Sequence, residues 1–227
     1  MTTDNVFANE MNNNFDTFCE IETTTAGGNP TVNVNFSRNT GIDSAEDQIT
    51  YGFYWDNEGK TADANLTCND NVLRNLGGYP IGAFAVSGTI NGNTISNTHD
   101  YSLYCSVEND TLTVSGNIIS DGSYEGINAY FEDDTGGPVP SGTLLISNNS
   151  VSNVATYGIF VEDNTDKNAL LAIRDNRINN TDGDSFIYVL WSAEVDLCAA
   201  ITGNTMDDDL GLKDKVERVN SRWSSST

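Results

Sequence analysis

The chain has 227 residues, 37% of them hydrophobic, and a formal net charge of −23 from 33 acidic against 10 basic side chains. Such a surface repels phosphate backbones and anionic lipid, which excludes nucleic acid as a partner. No apolar run reaches the roughly 18 residues of a membrane-spanning helix, so direct membrane insertion of this segment is not expected.

The first ten residues, MTTDNVFANE, hold no basic stretch followed by an apolar core, so no signal peptide is visible. They do open a repeat. An aliphatic or aromatic residue, two others, an Asn, one residue and a second apolar residue recur as VFANEM (Asn9), CNDNVL (Asn71), INGNTI (Asn93), VSGNII (Asn117), ISNNSV (Asn149), IRDNRI (Asn176) and ITGNTM (Asn204). FSRNTG at Asn39 fits all but the last position.

Other offsets hold as well. Ten residues after each anchor stand Cys19, Ile49, Ile81, Leu103, Ile127, Ile159 and Phe186; twelve after stand Ile21, Tyr51, Ala83, Cys105, Ala129, Val161 and Tyr188. Five before stand Val34, Leu66, Gly88, Leu112, Leu144, Leu171 and Ala199. Spacing of two within each group is strand alternation, not helix. Each unit therefore predicts about three short strands, and units of this length suit a coil of parallel sheet with rungs about 4.8 Å apart. The expected fold is all-β, a right-handed parallel β-helix solenoid of about eight coils over residues 1–206. Residues 207–227, acidic then basic, are expected to be a tail or a short cap helix.

The units SGNII, NGNTI and TGNTM, with YGIFV and EGINAYF after them, resemble the right-handed parallel β-helix repeat family. The resemblance carries the handedness and implies a bacterial surface, autotransporter-passenger-like or secreted setting. It covers nearly the whole chain, and it specifies architecture more than activity.

The Asn column (Asn9, Asn39, Asn71, Asn93, Asn117, Asn149, Asn176, Asn204) predicts a structural ladder. Asn tolerates left-handed backbone angles, and stacked amides can bond along the coil axis. Cys19, Cys68, Cys105 and Cys198 fall on or near inward columns and read as small core residues. His99, the only histidine, falls in a variable turn, which leaves no triad or multi-histidine metal site. Acidic residues gather just past the +12 column. Among them Glu132, Asp133, Asp134, Glu162 and Asp163 are candidate Ca²⁺ ligands, because hard oxygen ligands stacked at rung spacing suit that ion. Otherwise no cofactor is expected.

No acid–base set of the polygalacturonase or pectate-lyase kind is present, so no catalytic residue is assigned. The expected function is an extracellular or cell-surface scaffold or adhesin-type binding module, a segment of a larger passenger protein, with a carbohydrate or a host or cell-surface protein as partner. The alternatives are a polysaccharide lyase or glycoside hydrolase, and a calcium-stabilised structural repeat.

Overall fold

The computed structural model describes residues 2–3, 5–9, 17–23, 31–43, 50–57, 63–108, 110–132, 142–163, 165, 169–181, 185–191, 198–207 and 214–220. Among them the regular structure is all β, wound into three sheets of eight parallel strands. Sheet 1 stacks Thr2–Thr3, Thr31–Ser37, Asp63–Asn69, Ser87–Asn91, Thr111–Ser115, Thr143–Ser147, Leu170–Arg174 and Cys198–Thr202. Sheet 2 stacks Val6–Asn9, Thr40–Asp43, Val72–Leu76, Thr94–Thr98, Ile118–Gly122, Ser150–Val154, Arg177–Thr181 and Thr205–Asp207. Sheet 3 stacks Thr17–Glu22, Tyr51–Asp56, Ile81–Phe84, Leu103–Val107, Ile127–Phe131, Ile159–Asp163, Ser185–Trp191 and Asp214–Asn220. The chain visits the sheets in the order 1, 2, 3 and repeats. Five consecutive coils, from Asp63 to Trp191, form the regular body.

Asp214–Asn220 is a strand paired with Ser185–Trp191, Val216 lying in register with Ile187. This part of the segment expected as a tail or cap helix therefore extends sheet 3.

The core is built from inward files of all three sheets. In sheet 1, Leu66, Leu112, Leu144 and Leu171 lie in one file beside Cys68, Ile90, Val114, Ile146 and Ile173; all are 0–2% exposed. Sheet 2 contributes Leu73, Ile95, Ile119, Val151 and Ile178. Fully burying each such aliphatic stabilises the fold by about 1.5–3 kcal/mol.

The sheet 1–sheet 2 corner explains the repeat. Its first residue is left-handed: Arg38, Asp70, Gly92, Gly116, Asn148, Asp175 and Gly203 have φ of 55–69°. The Asn follows it, so the left-handed angle belongs to its predecessor and the Asn serves as the connector. Within sheet 2 a second left-handed file, Asn75, Asn97, Asp121 and Asn153, with φ of 53–59°, is skipped by the pairing. This kink reverses the alternation, so the following residues, Leu76, Thr98 and Val154, turn inward and are buried.

In sheet 3 the inward files run Phe53–Ile81–Leu103–Ile127–Ile159–Ile187 and Trp55–Ala83–Cys105–Ala129–Val161–Val189. In the second coil Phe53 and Trp55 thus take the places expected for Ile49 and Tyr51, and in the seventh Ile187 and Val189 replace Phe186 and Tyr188. Longer connections before these strands shift the register.

Candidate functional site

The Asn ladder runs along the axis of the solenoid. Each Asn sends its backbone N–H and its Nδ2 to Oδ1 of the Asn one coil on, through Asn39, Asn71, Asn93, Asn117, Asn149, Asn176 and Asn204, at 2.8–3.0 Å. From Asn71 onward the other Nδ2 hydrogen goes to a sheet 1 carbonyl of the preceding coil, such as Ile90 for Asn117. The first member is Asn5, which donates to Asn39 Oδ1. Asn9 is not in the file: it ends the strand Val6–Asn9 and pairs in register with Asp43. The interior amides, from Asn39 to Asn176, are 0–1% exposed, so this file closes the fold and presents nothing to a ligand.

Of the acidic candidates, Asp133 and Asp134 lie outside the described residues. Glu162 and Asp163 are neighbours on one strand and so face opposite ways. Glu162 is in the outward file with Tyr130 and Leu190, and Asp163 in the next with Phe131 and Trp191. Glu132 follows the strand Ile127–Phe131 and is half-buried. Among the described residues no group of three or more His, Cys, Asp or Glu is placed to hold a metal.

Asp163 is fully buried; its Oδ1 accepts from Thr165 N and Oγ1, and its Oδ2 has no hydrogen-bond partner. Burial holds its carboxyl above the ordinary 3.8, the Thr165 hydrogen bonds pulling the other way. The folded state therefore binds this proton more tightly than the unfolded chain, and stability rises as pH falls from the raised value towards 3.8. Asp163→Asn keeps the Oδ1 acceptor and removes the desolvated charge. It is expected to stabilise the protein at neutral pH by about 1 kcal/mol and to flatten the rise on acidification. Urea midpoints at several pH values check this, and an unchanged pH slope would reject it.

Cys68 and Cys105 are buried core thiols, pushed well above their ordinary value by burial. Cys198 is exposed at the last rung of sheet 1, and none of the four cysteines is in a disulfide. His99 is half-buried in the turn after Thr94–Thr98.

The outer face of sheet 3 carries the feature that the offsets +10 and +12 step over. The outward file between them holds Tyr54, Tyr104, Phe160 and Tyr188, with Gly82 and Asn128 interspersed. The turns leading into these strands add Tyr79, Tyr101, Tyr124 and Tyr157, and Tyr51, Phe84 and Tyr130 complete eleven rings in one contact chain. Along its length Tyr51–Tyr79, Tyr79–Tyr104, Tyr104–Tyr130, Tyr130–Phe160 and Phe160–Tyr188 have centroids 5.1, 4.9, 5.3, 6.3 and 5.5 Å apart. Tyr101 and Tyr104 stack at 17°, and Phe160 and Tyr188 at 3°. The row crosses six coils, about 24 Å at roughly 4.8 Å per rung. The signal was present in the repeat, at offsets +8 (Tyr79, Tyr101, Tyr157) and +11 (Tyr104, Phe160).

In one coil two of the repeating ring positions are polar. Where its neighbours carry rings, the fifth coil has Glu125 (+8) and Asn128 (+11), 8% and 2% exposed. Glu125 Oε2, Asn128 Oδ1 and the nearby Thr156 Oγ1 are buried without a well-aligned hydrogen-bond partner. Burial raises the Glu125 carboxyl, hydrogen bonds from its own backbone, Thr156 and Asn128 counter it, and Asp100 adds to it; Asp100 is itself raised by burial. Burial likewise drives the Tyr79 and Tyr101 phenols up to about 12, with Asp100 beside Tyr79 and Glu125 beside Tyr101 adding to it. These hydroxyls are therefore donors at every physiological pH. The face combines flat apolar rings, protonated phenols and a buried carboxyl–amide pair at its centre.

Comparison with curated proteins and with solved structures found no match. The family model described as the right handed beta helix region matches residues 20–205, from the first coil's sheet 3 strand to the last coil's sheet 2 strand. Three parallel sheets, a ladder that closes each coil and this match over most of the length together place the chain in the right-handed β-helix family.

Proposed function

We propose that this β-helical scaffold is a secreted or cell-surface binding module that holds a polysaccharide along the aromatic row of sheet 3. The observation carrying the reading is the row itself: eleven rings in one contact chain along the outer face of sheet 3, ten of them at least partly exposed. Ring faces stack against the C–H faces of sugars, and phenol hydroxyls bond their rims, because Tyr is apolar in body and polar at its tip. Rungs about 4.8 Å apart repeat at close to the length of one hexose, so successive coils can meet successive sugars. Glu125 and Asn128 supply polar contacts at the centre. The net charge of −23 favours an uncharged glycan over a polyuronate. A ligand of this class is met outside the cell, which is the basis for the proposed location.

The test is a panel of neutral and acidic polysaccharides assayed for retention and for cleavage. Neutral glycans are expected to bind without release of reducing ends. Tyr101→Ser with Tyr104→Ser is expected to weaken binding at least tenfold, with little change in the far-ultraviolet spectrum. Unchanged binding in the double variant would overturn the site, and cleavage would overturn the binding-only reading. A hydrolytic role is favoured by one observation, the raised carboxyls of Asp100 and Glu125 beside the row, and would be seen as cleavage lost in Glu125→Gln.

A further inference from the structure

The links from sheet 3 back to sheet 1 differ in length, and the shortest leaves a notch. Between Phe84 and Ser87 only Ala85 and Val86 intervene, whereas residues 57–62 and 108–110 make the links on either side. Against this short link lies a cavity of about 320 Å³ lined by residues of successive coils, among them Asp63, Asn65, Ser87, Glu108 and Asp110.

Its chemistry is one-sided. Three carboxylates line it, and no Lys, Arg or His is among the described lining residues. Three neighbouring donors are already engaged: Ser87 Oγ donates to the Ala64 carbonyl, Asn65 Nδ2 to Asn33 Oδ1, and the Ala85 N–H to Ser106 Oγ. Acceptors are left over. Glu108 forms the inner wall, its side chain 8% exposed, and its Oε1 has no hydrogen-bond partner. A carboxylate withdrawn from water beside two others is unfavourable unless a positive donor joins it.

A single metal ion does not suit this spread, since no three of the described acids are placed to share one. A longer cation with N–H groups at separate points does, because it can bridge Glu108 to Asp63 or Asp110 with charge-assisted hydrogen bonds. We propose that the notch is a binding site for a small organic polycation of the diamine or polyamine class.

Titration calorimetry with spermidine tests this, at about 150 mM NaCl, where exposed charges are screened beyond roughly 8 Å. One saturable site per chain is expected. Glu108→Gln with Asp110→Asn is expected to weaken it at least tenfold, and Ser87→Trp, which fills the notch, to abolish it. Glu162→Gln, which removes one charge elsewhere, should leave it unchanged. Melting curves confirm that each variant is folded. Weak binding at many sites, or binding reduced equally by Glu162→Gln, would show a general counterion effect and overturn the site. Saturable binding of CaCl₂ with none of spermidine would overturn the ligand class.

Discussion

Asn117→Ala is expected to be among the most damaging single substitutions in the molecule, lowering stability by about 4 kcal/mol. Its side chain makes four hydrogen bonds: Nδ2 donates to Asn149 Oδ1 and the Ile90 carbonyl, and Oδ1 accepts from the N–H and Nδ2 of Asn93. Truncation leaves the Asn93 donors and the Ile90 carbonyl unpaired beside residues that are 0% exposed. Each buried group so orphaned costs about 1–3 kcal/mol, with no water to replace the partner. Asn117→Asp does not rescue the site, because the second carboxylate oxygen would face two acceptors. Asn33→Ala removes an exposed amide that accepts one bond from Asn65, and should stay within about 0.5 kcal/mol of the parent. Urea denaturation of the three variants checks the contrast, and an Asn117→Ala midpoint close to that of Asn33→Ala would defeat the ladder account.

The ladder was legible in the sequence from Asn39 onward because a buried amide at every coil tolerates no substitute. Its first member was not. Around Asn9 the apolar pattern is satisfied by Val6 and Met11, while around Asn5 the corresponding places are Thr2 and Phe7. The residue before the amide decides between them. Elsewhere that place is left-handed and holds Gly, Asp, Asn or Arg, and Asp4 fits this set where Ala8 does not. The shifted files at Phe53 and Ile187 escaped for another reason: offsets counted from an anchor accumulate every insertion, whereas hydrogen bonding re-sets the register at each strand. The aromatic row was hidden because attention to inward positions discards the residue between them. Glu162 and Asp163 read as a pair from adjacency, yet strand alternation sends them to opposite faces.

Gly88→Leu completes the argument, because the repeat recommends it and the backbone forbids it. Gly88 stands in sheet 1 between Leu66 and Leu112, in a file whose next members are Leu144 and Leu171. By column statistics a leucine there should add core. But Gly88 has φ of +107°, which L side chains rarely adopt, and a Cβ would run into the Leu66 carbonyl oxygen with Asn65 Oδ1 at 2.7 Å and Leu66 N at 2.9 Å. The strain comes from the two-residue link before it, where Ala85 is already left-handed at φ 50° and the buried Val86 packs into the core cluster. The expected loss is about 3 kcal/mol. Gly116→Asn is the matched opposite. Its φ of +63° is the left-handed angle that Asn148 adopts in the next coil, and its Cβ would come no closer than 3.1 Å, to the Asn91 side chain. That change should lie within about 0.5 kcal/mol of the parent, a small gain being the direction expected from a less flexible unfolded chain. If urea midpoints ranked the two variants the other way, backbone angle would not be what restrains these positions, and file occupancy alone would govern the repeat.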